Sequence, residues 1–177
     1  MSSFPESNGK NEPLEHVRHK PVHTLPSDCE LVIVSPQLRS NINLSRIARS
    51  AGCSGVRKMY IGGNGRIDPK IARDSAKTIQ FVHRRSLPPV LKELRKLGFC
   101  LVGLEQTSHS TVIYDHVFQP RTALIIGHER HGITDEVLKL LDVSIEIPVF
   151  GLPYSFNVAT ATSMALYEFG RQYFQPN

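Results

Sequence analysis

The sequence predicts an α/β domain with a mostly parallel sheet flanked by helices. Two patterns carry this. ELVIVS (30–35), VRKMYI (56–61), FCLVGLEQ (99–106) and TALIIG (122–127) are short apolar runs rich in β-branched residues, as buried strands are. Helical patterns separate most of them, and continuous apolar strands are what a parallel sheet covered on both faces requires. At 177 residues, with no internal repeat, the chain has the length of one domain with a real core.

In chain order, residues 1–27 are rich in Pro, Ser, Asn and His and are expected to form a flexible arm, leaving 28–177 as the single domain. His16, His19 and His23 lack the Cys or carboxylate pattern that would complete a metal site, and no metal is expected. After the strand at 30–35, a helix is expected from Asn43 to about Cys53. Leu44, Ile47, Ala48 and Ala51 fall on one stripe and Asn43, Arg46, Arg49 and Ser50 on the opposite face. The strand at 56–61 is followed by GGNGR, a turn that does not meet the GxGxxG pattern. Asp68-Pro69 starts a short helix through Ala76, and TIQFV reads as a short strand. Leu87–Leu97 is amphipathic, with Pro88 and Pro89 at its start and Gly98 as its stop. Residues 107–120 are polar and irregular. After the strand at 122–127, GITDEVLKLLD reads as a helix capped by Thr134, with Asp135 and Glu136 in its first turn. Ile145 to Glu168 then reads as a strand, a polar loop and a helix opening at Asn157 that is crowded with small residues.

Charge and cysteine content narrow the function classes. Residues 1–100 hold 17 Lys+Arg against 8 Asp+Glu, and residues 101–177 hold 4 against 8. A basic half beside an acidic half points to a polyanion on one face, although a solvated basic surface explains the charge as well. No apolar run approaches the ~20 residues that span a bilayer, so no membrane partner is expected. The first residues lack the apolar core of a secretory signal. Cys29, Cys53 and Cys100 form no CxxC pair, which points to a reduced, cytoplasmic setting without structural zinc.

Three stretches carry candidate chemistry. Asn43, Arg46 and Arg49 on one helix face suit phosphate gripping, though a solvated face would look the same. Gly127-His128-Glu129-Arg130-His131-Gly132 has P-loop spacing, but Ile133 stands where the phosphate-binding Lys must be. A carboxylate beside free carbonyls suits a cationic or neutral ligand. Ser155 and Asn157 precede the last helix as possible caps, and Ser155 is not on a GxSxG elbow, which argues against a hydrolase. Strand, polar loop and helix N-terminus in that order is where α/β proteins place ligands.

Together the three stretches resemble the three motifs of the SpoU–TrmH branch of the SPOUT RNA ribose methyltransferases. NLSRIARSAGCSGV resembles the first, an Asn followed six residues later by an Arg and then a Gly. ALIIGHERHGIT resembles the second, with its G-x-E-x-x-G core, and IEIPVFGLPYSFNVATATSMALYE the third. Phe156 stands where the third motif usually has Leu, and His128, Arg130 and His131 are less usual in the second. The resemblance covers residues 30–173. It implies a SPOUT fold with a C-terminal trefoil knot, a homodimer with sites at the interface, and S-adenosylmethionine held by Leu104, Gly127, Ile147 and Phe156. It also implies methyl transfer to a ribose 2′-hydroxyl, with transfer RNA the first choice and ribosomal RNA the second. An arginine stays charged and is a poor literal base, so Arg49 is expected to hold a phosphate and stabilise the developing alkoxide. Asn43 is expected to orient Arg49 or the ribose. Glu129 is expected to anchor Arg49 or take the proton through water, and Ser155 and Asn157 to position the ribose and the loop. Arg46 and Arg39 are candidate RNA contacts. The alternatives are a non-catalytic RNA-binding dimer of the same fold and a SPOUT base methyltransferase.

Overall fold

A computed structural model describes residues 15–17 and 20–175. The chain runs β1 (Glu30–Ser35), α1 (Asn41–Cys53), β2 (Lys58–Gly62), α2 (Pro69–Ala72), α3 (Ser75–Thr78), β3 (Gln80–Arg84) and α4 (Pro88–Lys96). It continues through β4 (Cys100–Leu104), β5 (Thr111–Val112), β6 (Arg121–Ile126), α5 (Asp135–Leu138), β7 (Val143–Glu146) and α6 (Val158–Gln172). The strands form one sheet in the order β3-β2-β1-β6-β4-β7-β5, and every neighbouring pair is parallel. The expected parallel α/β architecture is therefore present.

Both faces of the sheet are buried, which is why the central strands read as unbroken apolar runs. Side chains alternate across a strand. Leu31, Ile33, Leu124 and Ile126 accordingly pack on one side with Leu44 and Ile47 of α1 and Leu166 and Phe169 of α6. Val32, Val34, Ala123 and Ile125 pack on the other with Val90, Leu91 and Leu94 of α4 and Val137 of α5. Small residues let α6 lie close on α1. Ser163 Oγ donates to the Ala159 carbonyl at 2.8 Å, so in its 2.7 Å bond to Ser50 Oγ the donor is Ser50.

Several local expectations are corrected. α1 begins at Asn41, because Ser40 Oγ accepts from Asn43 N at 3.2 Å and caps the helix there. The single helix expected after Asp68 is two four-residue turns, broken at Arg73, whose φ is +57°. Thr134 precedes α5 without a side-chain capping bond, and α5 is only four residues long. The stretch 107–120 contains β5, which exists by pairing with β7. Residues 1–14 and 18–19 of the expected arm lie outside the described residues. Of the remainder, Leu25 packs against the core beside α1 and α6.

Candidate active site

The loops leaving β6, β4 and β7 are neighbours at the carboxyl edge of the sheet, where open α/β sheets bind ligands. Between them lies an open cleft. Leu104, Gly127, Ile147 and Phe156 all line it, with Glu129 and Ser155. Thus the four positions expected around a cofactor line one cleft.

The loop after β6 owes its shape to its glycines and to a residue that the motif reading missed. His128 and Gly132 exchange backbone bonds of 2.9 and 3.0 Å, closing the loop on itself. Gly132 has φ of +62°, and a Cβ there would stand 2.4 Å from Glu105 Oε2. Glu105, just past β4, accepts from Ile133 N at 2.8 Å and lines the cleft. The G-x-E-x-x-G spacing is thus a tight turn built around the Glu105 carboxylate. No signal local to Glu105 announces this, because its partner is 28 residues away. His128 Nδ1 accepts from Arg130 N at 3.0 Å, and its ring stacks on that of His131 with centroids 4.9 Å apart. These unusual residues brace the loop.

Glu129 reaches back to the start of α1. Its carboxylate accepts from Arg39 N at 2.9 Å, Ser40 N at 3.1 Å and Asn43 Nδ2 at 3.3 Å. Burial pushes this carboxyl up, but the N–H groups of Arg39, Glu129 itself and Ser40, with the Asn43 amide, outweigh that and hold it below its ordinary value. Through these bonds Glu129 anchors the N-terminus of α1. It forms no ion pair with Arg49 among the described residues.

Asn43 extends the connection. Its Oδ1 accepts from Asn157 Nδ2 at 3.3 Å, and Asn157 Oδ1 accepts from Ala159 N at 2.9 Å, capping α6. One end of this chain is a carboxylate that can only accept and the other an N–H that can only donate, so both amide orientations are fixed. Glu129, Asn43 and Asn157 thereby tie the three motif stretches into one body. The polar face expected on α1 is divided by this. Asn43 is only 9% exposed and Ser50 is turned toward α6. Arg46 and Arg49 lie outward with Ile42 and Cys53 on an exposed stripe. Neither Arg49 nor Arg46 lines the cleft. Arg39 meets Glu129 through its backbone while its side chain is exposed.

The model of the SpoU rRNA Methylase family matches residues 30–167. The chain belongs to that family. Among its SpoU relatives is the tRNA (guanosine(18)-2'-O)-methyltransferase of Aquifex aeolicus. It is 28% identical over 81% of this chain and 70% of its own length. The crystal structure of the A. aeolicus TrmH/SpoU tRNA modifying enzyme superposes with a TM-score of 0.76 at 27% identity, covering 81% of this chain and 75% of that one. The SpoU methyltransferase AviRb of Streptomyces viridochromogenes, in complex with AdoMet, gives 0.69 at 29% identity over 81% of this chain and 60% of that one. The chain spans less than two thirds of the length of several other curated relatives that it matches.

Proposed function

We propose that this chain is an S-adenosylmethionine-dependent RNA methyltransferase that acts on a ribose 2′-hydroxyl. The observation that carries this is the convergence of all four expected cofactor positions, with Glu129 and Ser155, on one cleft. The cleft fits the cofactor chemically. Leu104, Ile147, Val149 and Phe156 offer apolar walls for a purine, and the carboxylates of Glu105, Glu129 and Glu146 favour a cationic sulfonium. When bound, the cofactor supplies an electrophilic methyl, so that the C–O bond to the ribose forms as the S–C bond breaks and the hydroxyl proton leaves to solvent.

The chain's own residues position and stabilise. Glu105, Gly132 and Ser155 line the cleft, and Ser155 would meet the ribose. Asn157, tied to Asn43, fixes the loop that precedes α6. Arg49 is the cation that would hold a phosphate and stabilise the alkoxide, yet it faces away from the cleft of its own chain. A homodimer resolves this. The α1 stripe of Ile42, Arg46 and Arg49 is exposed, as is the α6 stripe of Met164 and Tyr167, and Tyr154 and Phe156 add exposed apolar surface. Such surface marks an interface, and a second copy seated there brings its Arg49 to the cleft. The knot of the family is part of the same reading, formed around the loop of Ile147 and Phe156.

Transfer RNA is the preferred substrate, in keeping with the name of the A. aeolicus relative, and ribosomal RNA is second. The test is incubation with labelled S-adenosylmethionine and total RNA, followed by mapping of the modified nucleotide. Label on a 2′-O-methyl of tRNA is expected. Label on a base would replace this reading with the base methyltransferase. No label in any RNA would replace it with a non-catalytic RNA-binding dimer.

A further inference from the structure

The sheet order lines up guanidinium groups that the motif reading left apart. β6, β1, β2 and β3 are successive parallel neighbours, so the loops leaving their carboxyl ends follow one another along one edge. The register sets them level, with Ser35 beside Ile61 and Ile61 beside His83. The loop after β6 carries Arg130, the loop after β1 Arg39 and the loop after β2 Arg66. β3 ends in Arg84, followed by Arg85. All five are exposed, and none forms an ion pair among the described residues. At ~4.8 Å per strand the row is about 15 Å long, and it starts at the cleft, which Arg130 lines.

Two of these side chains spring from fixed backbone. Arg39 N donates to Glu129 at 2.9 Å and Arg66 N to Asn41 Oδ1 at 3.0 Å. The carboxylates of the same loops, Glu129 and Asp68, form no ion pair with these arginines among the described residues and accept from backbone N–H groups instead. None of the large exposed apolar side chains falls in these loops; they lie mainly on α1, α6 and the loop between β7 and α6. A protein partner would need apolar anchors. Unpaired guanidinium groups in a row suit a chain of phosphates instead.

We infer that this row is a phosphate track, along which the RNA backbone runs from the β3 edge over β2 and β1 to the cleft. The inference rests on the RNA methyltransferase reading and adds the path by which the substrate reaches the site. It is tested by measuring tRNA binding to the full chain across a range of KCl concentrations. Arg66→Ala with Arg85→Ala should reduce the slope of log K against log salt by about 1.4 to 1.8, for two phosphate contacts at ~0.7 to 0.9 each. S-adenosylmethionine affinity, read by calorimetry, should be unchanged, which also shows that the variant folds. Arg57→Ala with Lys96→Ala removes two exposed cations near the amino ends of the strands and should leave the slope as it is. An unchanged slope in the first variant, or an equal loss in the second, overturns the track alone. Failure of the unaltered protein to bind RNA overturns the track and the functional reading together.

Discussion

Replacing Glu129 with glutamine should cost stability at neutral pH and cost less as the solution is acidified. The carboxylate shares three donors between two oxygens: Oε1 takes Ser40 N and Asn43 Nδ2, and Oε2 takes Arg39 N. A glutamine keeps the first pair only by turning its NH2 group toward Arg39 N, where two donors then face each other. An N–H left without its acceptor costs about 1–3 kcal/mol. Arg39 is exposed and water can replace part of the loss, which puts the expected destabilisation at about 1–2 kcal/mol. Because the folded-state pKa of Glu129 is depressed, its contribution is full above the unfolded value near 4.5 and is lost as pH falls through the lower folded value. Urea denaturation of both proteins from pH 7 to pH 3 is the assay. The gap should be present at pH 7, begin to narrow below about pH 4.5, and close as pH falls through the lower folded-state value, where the native side chain also becomes neutral. Equal midpoints at pH 7, or a gap that persists undiminished at pH 3, would refute the anchoring role.

Arg49→Ala should abolish methyl transfer while leaving S-adenosylmethionine affinity intact; normal turnover in that variant would remove Arg49 from the mechanism. Gly132→Ala forces a Cβ onto Glu105 at a positive φ and should destabilise the protein by about 2–4 kcal/mol, with weakened cofactor binding in the same calorimetric titration. Unaltered thermal stability would count against the packing described for the loop. Met164→Asp with Tyr167→Asp should give a folded monomer without transferase activity, measured by light scattering and the label assay. A dimer of unchanged mass in this variant would place the interface elsewhere.

The legible parts of the fold were those whose signal is local. β1 and β6 could be read because each is a continuous β-branched run with both faces buried. β5 could not, because Thr111 and Val112 become a strand only by lying beside Ile145 and Glu146. Likewise Arg73 gives no warning of the positive φ that splits α2 from α3. At the site, the motif spacing found Glu129 and Asn157 but not what they hold. A helical wheel groups Asn43 with Arg46 and Arg49, whereas the Glu129 carboxylate, 86 residues away, draws Asn43 inward. Glu105 is illegible in the sequence for the same reason. Its function is a contact, and the sequence around it shows only the end of a strand.

The place of β6 in the sheet has a consequence for the order in which the molecule assembles. β1, β2 and β3 pair in a run of nearby sequence, but β1 joins β6 through residues as far apart as Glu30 and Arg121, with 91 positions between their numbers. Such distant pairings carry a large loop-closure cost and slow folding. Glu129 hangs directly from β6 and finds its donors just past β1. The bonds of Glu129 to the start of α1 therefore cannot form until this seam has closed. A refolding experiment with cofactor present would see ligand binding only in its last kinetic phase, so that competence to bind reports completion of the longest-range strand pairing among the described residues.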